Sequence, residues 1–235
     1  MQTVHIIAAS HGTDSQIGQA QINELREQIA TTFPVPDGID LRWHEAYVDV
    51  QQPRLPEVLD ALPREEAVVL VPLLVADGFH TTEDFAQAAA SHPRAVVAGV
   101  LATGTELVRV LADRAAAHLE QAETVVLAAA GTRMRIGQEQ IQTLAQRLGE
   151  ELNREVAVAY CAGAKPEAGE MVRAAAGEKV LLLSVLLAEG YFQNKLRSTD
   201  AWVVTSPLLP DANIAQCFAE RAQQALARVL LDDEK

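Results

Sequence analysis

The sequence is poor in several things, and each shortage excludes something. Lys and Arg number 19 against 32 Asp and Glu, giving a formal charge of −13 over 235 residues. A nucleic-acid binder needs clustered cations to neutralise phosphates, and a peripheral membrane protein needs a basic amphipathic face, so neither partner is expected. Cysteine is almost missing. Cys161 and Cys217 stand far apart with no Cys-x-x-Cys pair, which speaks against a thiolate metal cluster and for a reducing compartment, the cytoplasm. The longest apolar run, Ala67 to Ala76, is broken by Pro72 and falls well short of the roughly 20 residues a bilayer requires. Met1 to Ala9 reaches its apolar stretch without a basic leader and does not read as a signal peptide. Aromatic residues make up only 4%, so the core must be built from Ala, Val and Leu.

What remains is ordinary for a folded, soluble chain. Hydrophobic residues are 49% and charged residues 22%, near the averages of about 45–50% and 25%. The length allows one large domain, or two that each bury a core of their own. Apolar β-branched runs alternate with helical patterns, the signature of β-α-β units and parallel sheets. Strands are expected at about 4–9, 41–48, 67–74, 96–100, 124–129, 155–160, 179–185 and 201–205. The clearest helices fall at 16–32, 106–121, 138–152 and 213–231. The strand runs are apolar on both faces, as strands covered by helices on both sides should be.

The two halves also resemble each other. IIAASHGTDSQIGQAQINELREQIA, from Ile6, aligns with VVLAAAGTRMRIGQEQIQTLAQRLG, from Val125, so that Gly131 follows Gly12 at a distance of 119 residues. Further on, PLLVADGFH from Pro72 aligns with SVLLAEGYF from Ser184, at a distance of 112. The shorter spacing fits the loss of the turn segment 34–40 from the second half. A tandem duplication explains this better than chance. The expected fold is therefore α/β: two similar three-layer α/β/α domains with mainly parallel sheets, residues 1–121 and 122–235, with an active cleft between them.

Ligands of open α/β sheets bind at the carboxyl ends of the strands. In the first half the loops after the first and third strands carry Ser10-His11-Gly12-Thr13 and Asp77-Gly78-Phe79-His80, followed by Glu83 and Asp84. The second half keeps the glycines and loses the chemistry: His11 becomes Ala130, His80 becomes Phe192 and Glu83 becomes Lys195. In exchange its loops carry Arg133, Arg135, Lys195 and Arg197, four cations on one rim of an acidic chain. Imidazoles are thus expected on one wall of the cleft and cations on the other. Asp49, at the end of the second strand, can point into that cleft. His5, His44, His92 and His118 lack a partner loop and are expected to be surface or strand histidines, with approach to the site as the second reading for His44. Asp77 is matched by Glu189 in the half without histidine, which makes that acidic position structural.

These residues carry a family resemblance. VHIIAASHGT followed by VVLVPLLVADGFHTTED, with EAYVDVQQPRLPEVLDAL between them, resembles the class II tetrapyrrole chelatases of the sirohydrochlorin type. The resemblance covers both halves. It implies insertion of Fe²⁺ or Co²⁺ into sirohydrochlorin without ATP, two similar α/β domains facing each other in the long bacterial forms, and metal-handling histidines at His11 and His80. The metal is then a substrate, and no permanently bound cofactor is expected.

The chemistry agrees with that assignment. Neutral imidazole is a good ligand for iron, cobalt, nickel and zinc, and its ordinary pKa of about 6.5 lets it accept pyrrole protons near neutrality. A transfer site wants few ligands, because a closed tetrahedral site would keep its metal. Glu83 and Asp84 can orient an imidazole or relay protons outward; their second reading is as first-turn acids favouring a helix N-terminus. Arg133, Arg135 and Arg197, with Lys195, suit the carboxylates of the macrocycle, or form a solvated face. Iron, leading to sirohaem, is favoured on family grounds over cobalt and cobalamin. A non-enzymatic tetrapyrrole or metal carrier needs the same residues. A histidine phosphohydrolase would place Arg immediately before its histidine, where this chain has Ser10. A duplicated chain supplies both cleft walls, so a monomer is expected.

Overall fold

The computed structural model describes residues 1–78 and 81–232. Eight strands form two four-stranded sheets, all parallel: β1 (Gln2–Ser10), β2 (Ile39–Tyr47), β3 (Ala67–Pro72) and β4 (Ala95–Val97) in the order β2-β1-β3-β4, and β5 (Thr124–Ala129), β6 (Ala157–Tyr160), β7 (Val180–Ser184) and β8 (Val203–Val204) in the order β6-β5-β7-β8. The same order in both sheets is the structural form of the sequence repeat. Ser10 pairs with Tyr47 across β1 and β2, and Ala129 with Tyr160 across β5 and β6.

The four expected long helices are α1 (Gln16–Thr32), α4 (Glu106–Ala116), α5 (Arg135–Leu152) and α8 (Ala212–Asp232). Between them lie four short ones, α2 (Leu55–Asp60), α3 (Ala86–Ser91), α6 (Ala168–Ala174) and α7 (Tyr191–Arg197), of six or seven residues each. A single wide turn of π type, Thr81–Phe85, leads into α3.

The helices cover both faces of each sheet. In the first, Ile7 and Ala9 of β1, Ala46 of β2 and Val68 and Leu70 of β3 pack against Leu55 and Leu59 of α2 and against Phe85 and Ala88. In the second, Val126, Ala128, Ala159 and Leu182 pack against Ala168 and Val172 of α6 and Leu196 of α7. Every residue of β3 is buried, as a strand covered on both faces must be.

The compact units do not follow the expected cut after residue 121. One comprises Met1–Leu74, Phe79–Leu101 and Ala215–Lys235; the other comprises Val75–Gly78 and Ala102–Ile214. Each repeat thus gives its last long helix to the other repeat's unit. Helix α4 packs on α5, burying Leu107, Val110, Leu111 and Ala115. It is held by Arg114, which donates to the carbonyls of Pro207 and Leu208 and, at 2.9 Å, to the Asp211 carboxylate. In the other unit Arg228 of α8 donates to the carbonyl of Val97 at the end of β4.

Candidate functional site

The loop after β1 is built to a plan that the loop after β5 repeats. Thr13 Oγ1 accepts from Ser15 N–H at 3.1 Å, and the Gln19 side chain donates back to the Thr13 carbonyl at 2.7 Å. Thr132 Oγ1 accepts from Met134 N–H at 3.1 Å, and Gln138 donates to the Thr132 carbonyl at 2.8 Å. These bonds account for the Gly-Thr and Ile-Gly-Gln pieces that recur in the sequence. Gly12 at φ +92° and Gly131 at φ +97° occupy left-handed backbone that side chains avoid. A Cβ at Gly12 would sit 2.5 Å from the Asp49 carbonyl oxygen.

That close approach is what assembles the first-unit site. Val48 N–H donates to the Ser10 carbonyl and Asp49 N–H to the His11 carbonyl, each at 3.0 Å, so the segment after β2 lies along the His11 loop. In the second unit Cys161 and Ala162 make the same two bonds to Ala129 and Ala130, which places Ala130 where His11 stands. His11 is half-buried. The Asp49 carboxylate accepts from Val50 N–H at 2.8 Å and from Arg54 at 3.2 Å. These two bonds, and the neighbouring His11, hold the Asp49 carboxyl below the usual range. Val50 turns the chain at φ +56°, where the matching residue of the second unit is Gly163 at φ +72°. A β-branched residue in that conformation is strained, and the strain sits beside Asp49.

The other expected site residues are placed as follows. His80 lies outside the described residues. Glu83 is exposed, on the wide turn Thr81–Phe85. Arg133 is exposed and makes no hydrogen bond or ion pair among the described residues. Arg135, also exposed, pairs with Glu139 one turn on, at 3.3 Å. Lys195 is committed to the Cys161 carbonyl and, at 3.6 Å, to Glu167. Arg197 grips Glu189 with both terminal nitrogens at 2.6 Å, holding that carboxyl below its usual range and raising its own pKa. Asp77, the partner of Glu189 in the alignment, exchanges two bonds with the Gln140 side chain.

Two features went unread in the sequence. Arg26 of α1 is buried beneath the His11 loop, bonded to Ser10 and Tyr47. His44 turns away from the rim: its Nε2 lies 2.9 Å from His5 Nδ1, and His5 Nε2 lies 2.6 Å from the Glu66 carboxylate. Glu66 immediately precedes β3, so this His-His-Glu chain belongs to the amino end of the sheet, opposite to His11. No cluster of three or more His, Cys, Asp or Glu able to hold a metal occurs among the described residues.

A family model described as CbiX matches residues 5–118 and again 124–225. A search of curated proteins gives no match. Among solved structures, SirB from Bacillus subtilis with Fe³⁺ superposes with a TM-score of 0.77 at 17% identity, over 97% of each chain. The sirohydrochlorin chelatase SirB from Bacillus subtilis subspecies spizizenii in complex with cobalt gives 0.73 at 16%, over 97% of each. CbiX, the terminal enzyme for biosynthesis of siroheme in denitrifying bacteria, gives 0.67 at 18%, over 95% of this chain and 99% of that one.

Proposed function

The chain belongs to the CbiX family, the class II tetrapyrrole chelatases of the sirohydrochlorin type, and from that premise we propose that it inserts a divalent metal into sirohydrochlorin without ATP. Ferrous iron is the metal we assign, with sirohaem as the product; cobalt is the second reading, favoured by the cobalt complex of a structurally similar SirB. The observation that carries the proposal is the pairing of His11 with Asp49 at the carboxyl edge of the first sheet, by a backbone hydrogen bond and a shared electrostatic environment.

The reaction takes up one M²⁺ and releases two pyrrole protons. His11 offers a nitrogen ligand and Asp49 an anionic oxygen, a pair that can strip part of the hydration shell without closing around the ion. His80 is assigned as the second imidazole on the sequence pattern. Once the metal has passed to the macrocycle, the freed imidazoles accept the pyrrole protons. Glu83, exposed on its turn, passes them to water.

The substrate's carboxylates call for cations. Of the four candidates, Arg133 can take one without breaking a bond to any described residue, and Arg135 has only an exposed ion pair of little worth to give up. Lys195 and Arg197 have partners of their own within the second unit and serve the substrate by supporting the rim.

Turnover separates enzyme from carrier. Purified protein mixed anaerobically with a tenfold excess of sirohydrochlorin and Fe²⁺ should metallate all of it, faster than the spontaneous reaction. Conversion that stops at one equivalent, or runs at the spontaneous rate, would refute the enzyme reading.

A further inference from the structure

Arg26 comes from the middle of α1 and is only 9% exposed. A guanidinium has five N–H donors, and here all five are placed. Nε donates to the Ala8 carbonyl at 3.0 Å. Nη1 donates to Asn23 Oδ1 at 2.9 Å and to the Tyr47 hydroxyl at 3.1 Å. Nη2 donates to Ser10 Oγ at 3.1 Å and to the Ala46 carbonyl at 3.3 Å. The guanidinium carbon stands 4.7 Å from the centre of the Tyr47 ring, and Glu45 lies 3.8 Å away at the surface. One side chain thus ties the last residues of β1 to the last residues of β2. The residues that come next on those strands carry His11 and Asp49.

The second repeat serves as an internal control. The residues matching Ser10, Asn23 and Arg26 are Ala129, Gln142 and Ala145. There the Tyr160 hydroxyl, matching Tyr47, bonds to Gln142, and Ala145 is packed into the core. The pairing at the carboxyl ends of the strands, the Gly-Thr turn and the two backbone bonds of the loop nevertheless correspond in both units. The fold therefore closes this corner without a buried arginine. The clamp is present in the copy that has His11 and absent from the copy that has alanine in its place. Burying a guanidinium carries a desolvation penalty that even a full set of hydrogen bonds offsets only in part, so a buried charge where the other repeat manages without one calls for a reason outside folding.

We propose that Arg26 is a positioning residue for metal insertion: by fixing the ends of β1 and β2 to each other it sets the distance and orientation between His11 and Asp49. The proposal rests on the chelatase reading. Its effect reaches the reaction through those two groups, and a misplacement of about 1 Å in a reacting group can lower a rate on the order of 10²-fold.

The test transplants the second repeat's solution into the first, as the triple variant Ser10→Ala, Asn23→Gln, Arg26→Ala. Circular dichroism and the thermal midpoint report folding, steady-state metallation reports kcat and KM for sirohydrochlorin, and the visible spectrum of added Co²⁺ reports ligand geometry. The expected result is a folded protein with kcat lowered about tenfold or more, KM within about twofold, and altered cobalt bands. The single variant Ser10→Ala, which removes one of the five acceptors, should lower kcat by about threefold. A folded triple variant with the wild-type kcat and cobalt spectrum overturns the proposal. So does failure of the triple variant to fold, because Arg26 would then be a fold residue. If the wild type does not accelerate metallation, the chelatase reading falls, while the cobalt spectra of the two proteins still decide whether Arg26 sets the geometry.

Discussion

Replacing Gly12 by alanine perturbs the loop and the site together, and the structure supplies the magnitude. The backbone at Gly12 has φ +92°, and forcing an L-residue into left-handed space costs roughly 1–2 kcal/mol. The new Cβ would stand 2.5 Å from the Asp49 carbonyl oxygen and 3.1 Å from Val50 Cβ, so the two loops must part by roughly 1 Å to reach ordinary contact. That carbonyl already accepts a hydrogen bond from Gln51 N–H in the tight turn at Val50, so it cannot retreat cheaply. The total cost should be about 2–3 kcal/mol of stability. Because Asp49 moves relative to His11, kcat for metallation should fall on the order of 10²-fold. Gly38 is the matched control: its φ is +79°, nothing lies within 4 Å of its Cβ position, and it precedes β2 at the amino end of the sheet. Gly38→Ala should cost roughly 1–2 kcal/mol and leave kcat unchanged. Urea unfolding followed by circular dichroism, with metallation rates on the same preparations, checks both. Wild-type kcat in Gly12→Ala, or equal losses of activity in the two variants, would refute the reasoning.

Arg133→Ala should raise the KM for sirohydrochlorin about tenfold, the value of one charge-assisted contact, whereas Arg197→Ala should move it less. Arg197→Ala should instead remove at most about 1 kcal/mol of stability from this partly exposed pair. Since Glu189 titrates below its ordinary 4.5 when folded, that contribution is present above pH 4.5 and disappears as the pH falls through the folded value, which unfolding at pH 7 and pH 3 would reveal. Burial, His5 and Arg42 together push His44 below 6.5. The unfolded chain therefore takes up that proton first, and stability falls as the pH drops from 6.5 towards the folded value; unfolding at pH 7.5 and 5.5 should show His44→Gln to be less pH-sensitive than the wild type. Burial pushes the Cys161 thiol up to about 11, against the opposing pull of Lys195, so a disulfide reagent at pH 8 should leave it untouched until the protein unfolds.

Much of this molecule was legible in the sequence because period and repetition are strong signals. All eight strands and four long helices stand where their apolar patterns put them, within a few residues. The short helices α2, α3, α6 and α7 could be given no bounds, since six or seven residues span under two turns and give too little periodicity to read. The duplication was visible, yet the boundary between compact units was not. Alignment registers which residues match, whereas α4 and all of α8 beyond its first residues pack where their apolar faces find cover. The four cations of the second half looked equivalent because charge alone was read. Glu189 sits eight residues before Arg197, and the partner of Lys195 is a backbone carbonyl, neither of which composition can express. Arg26 passed as an ordinary polar helix residue, although its match to Ala145 in the aligned repeat was the signal that could have found it.

The groups that handle the metal belong to the first repeat alone. Initial rates of anaerobic sirohydrochlorin metallation with Fe²⁺, measured for the wild type, His11→Ala, Asp49→Ala and Ala130→Ser, test it most directly. The account predicts a catalysed rate for the wild type, a fall to near the spontaneous rate in the two first-repeat variants, and no change for Ala130→Ser at the matching position of the second repeat. Undiminished rates in His11→Ala and Asp49→Ala would contradict it.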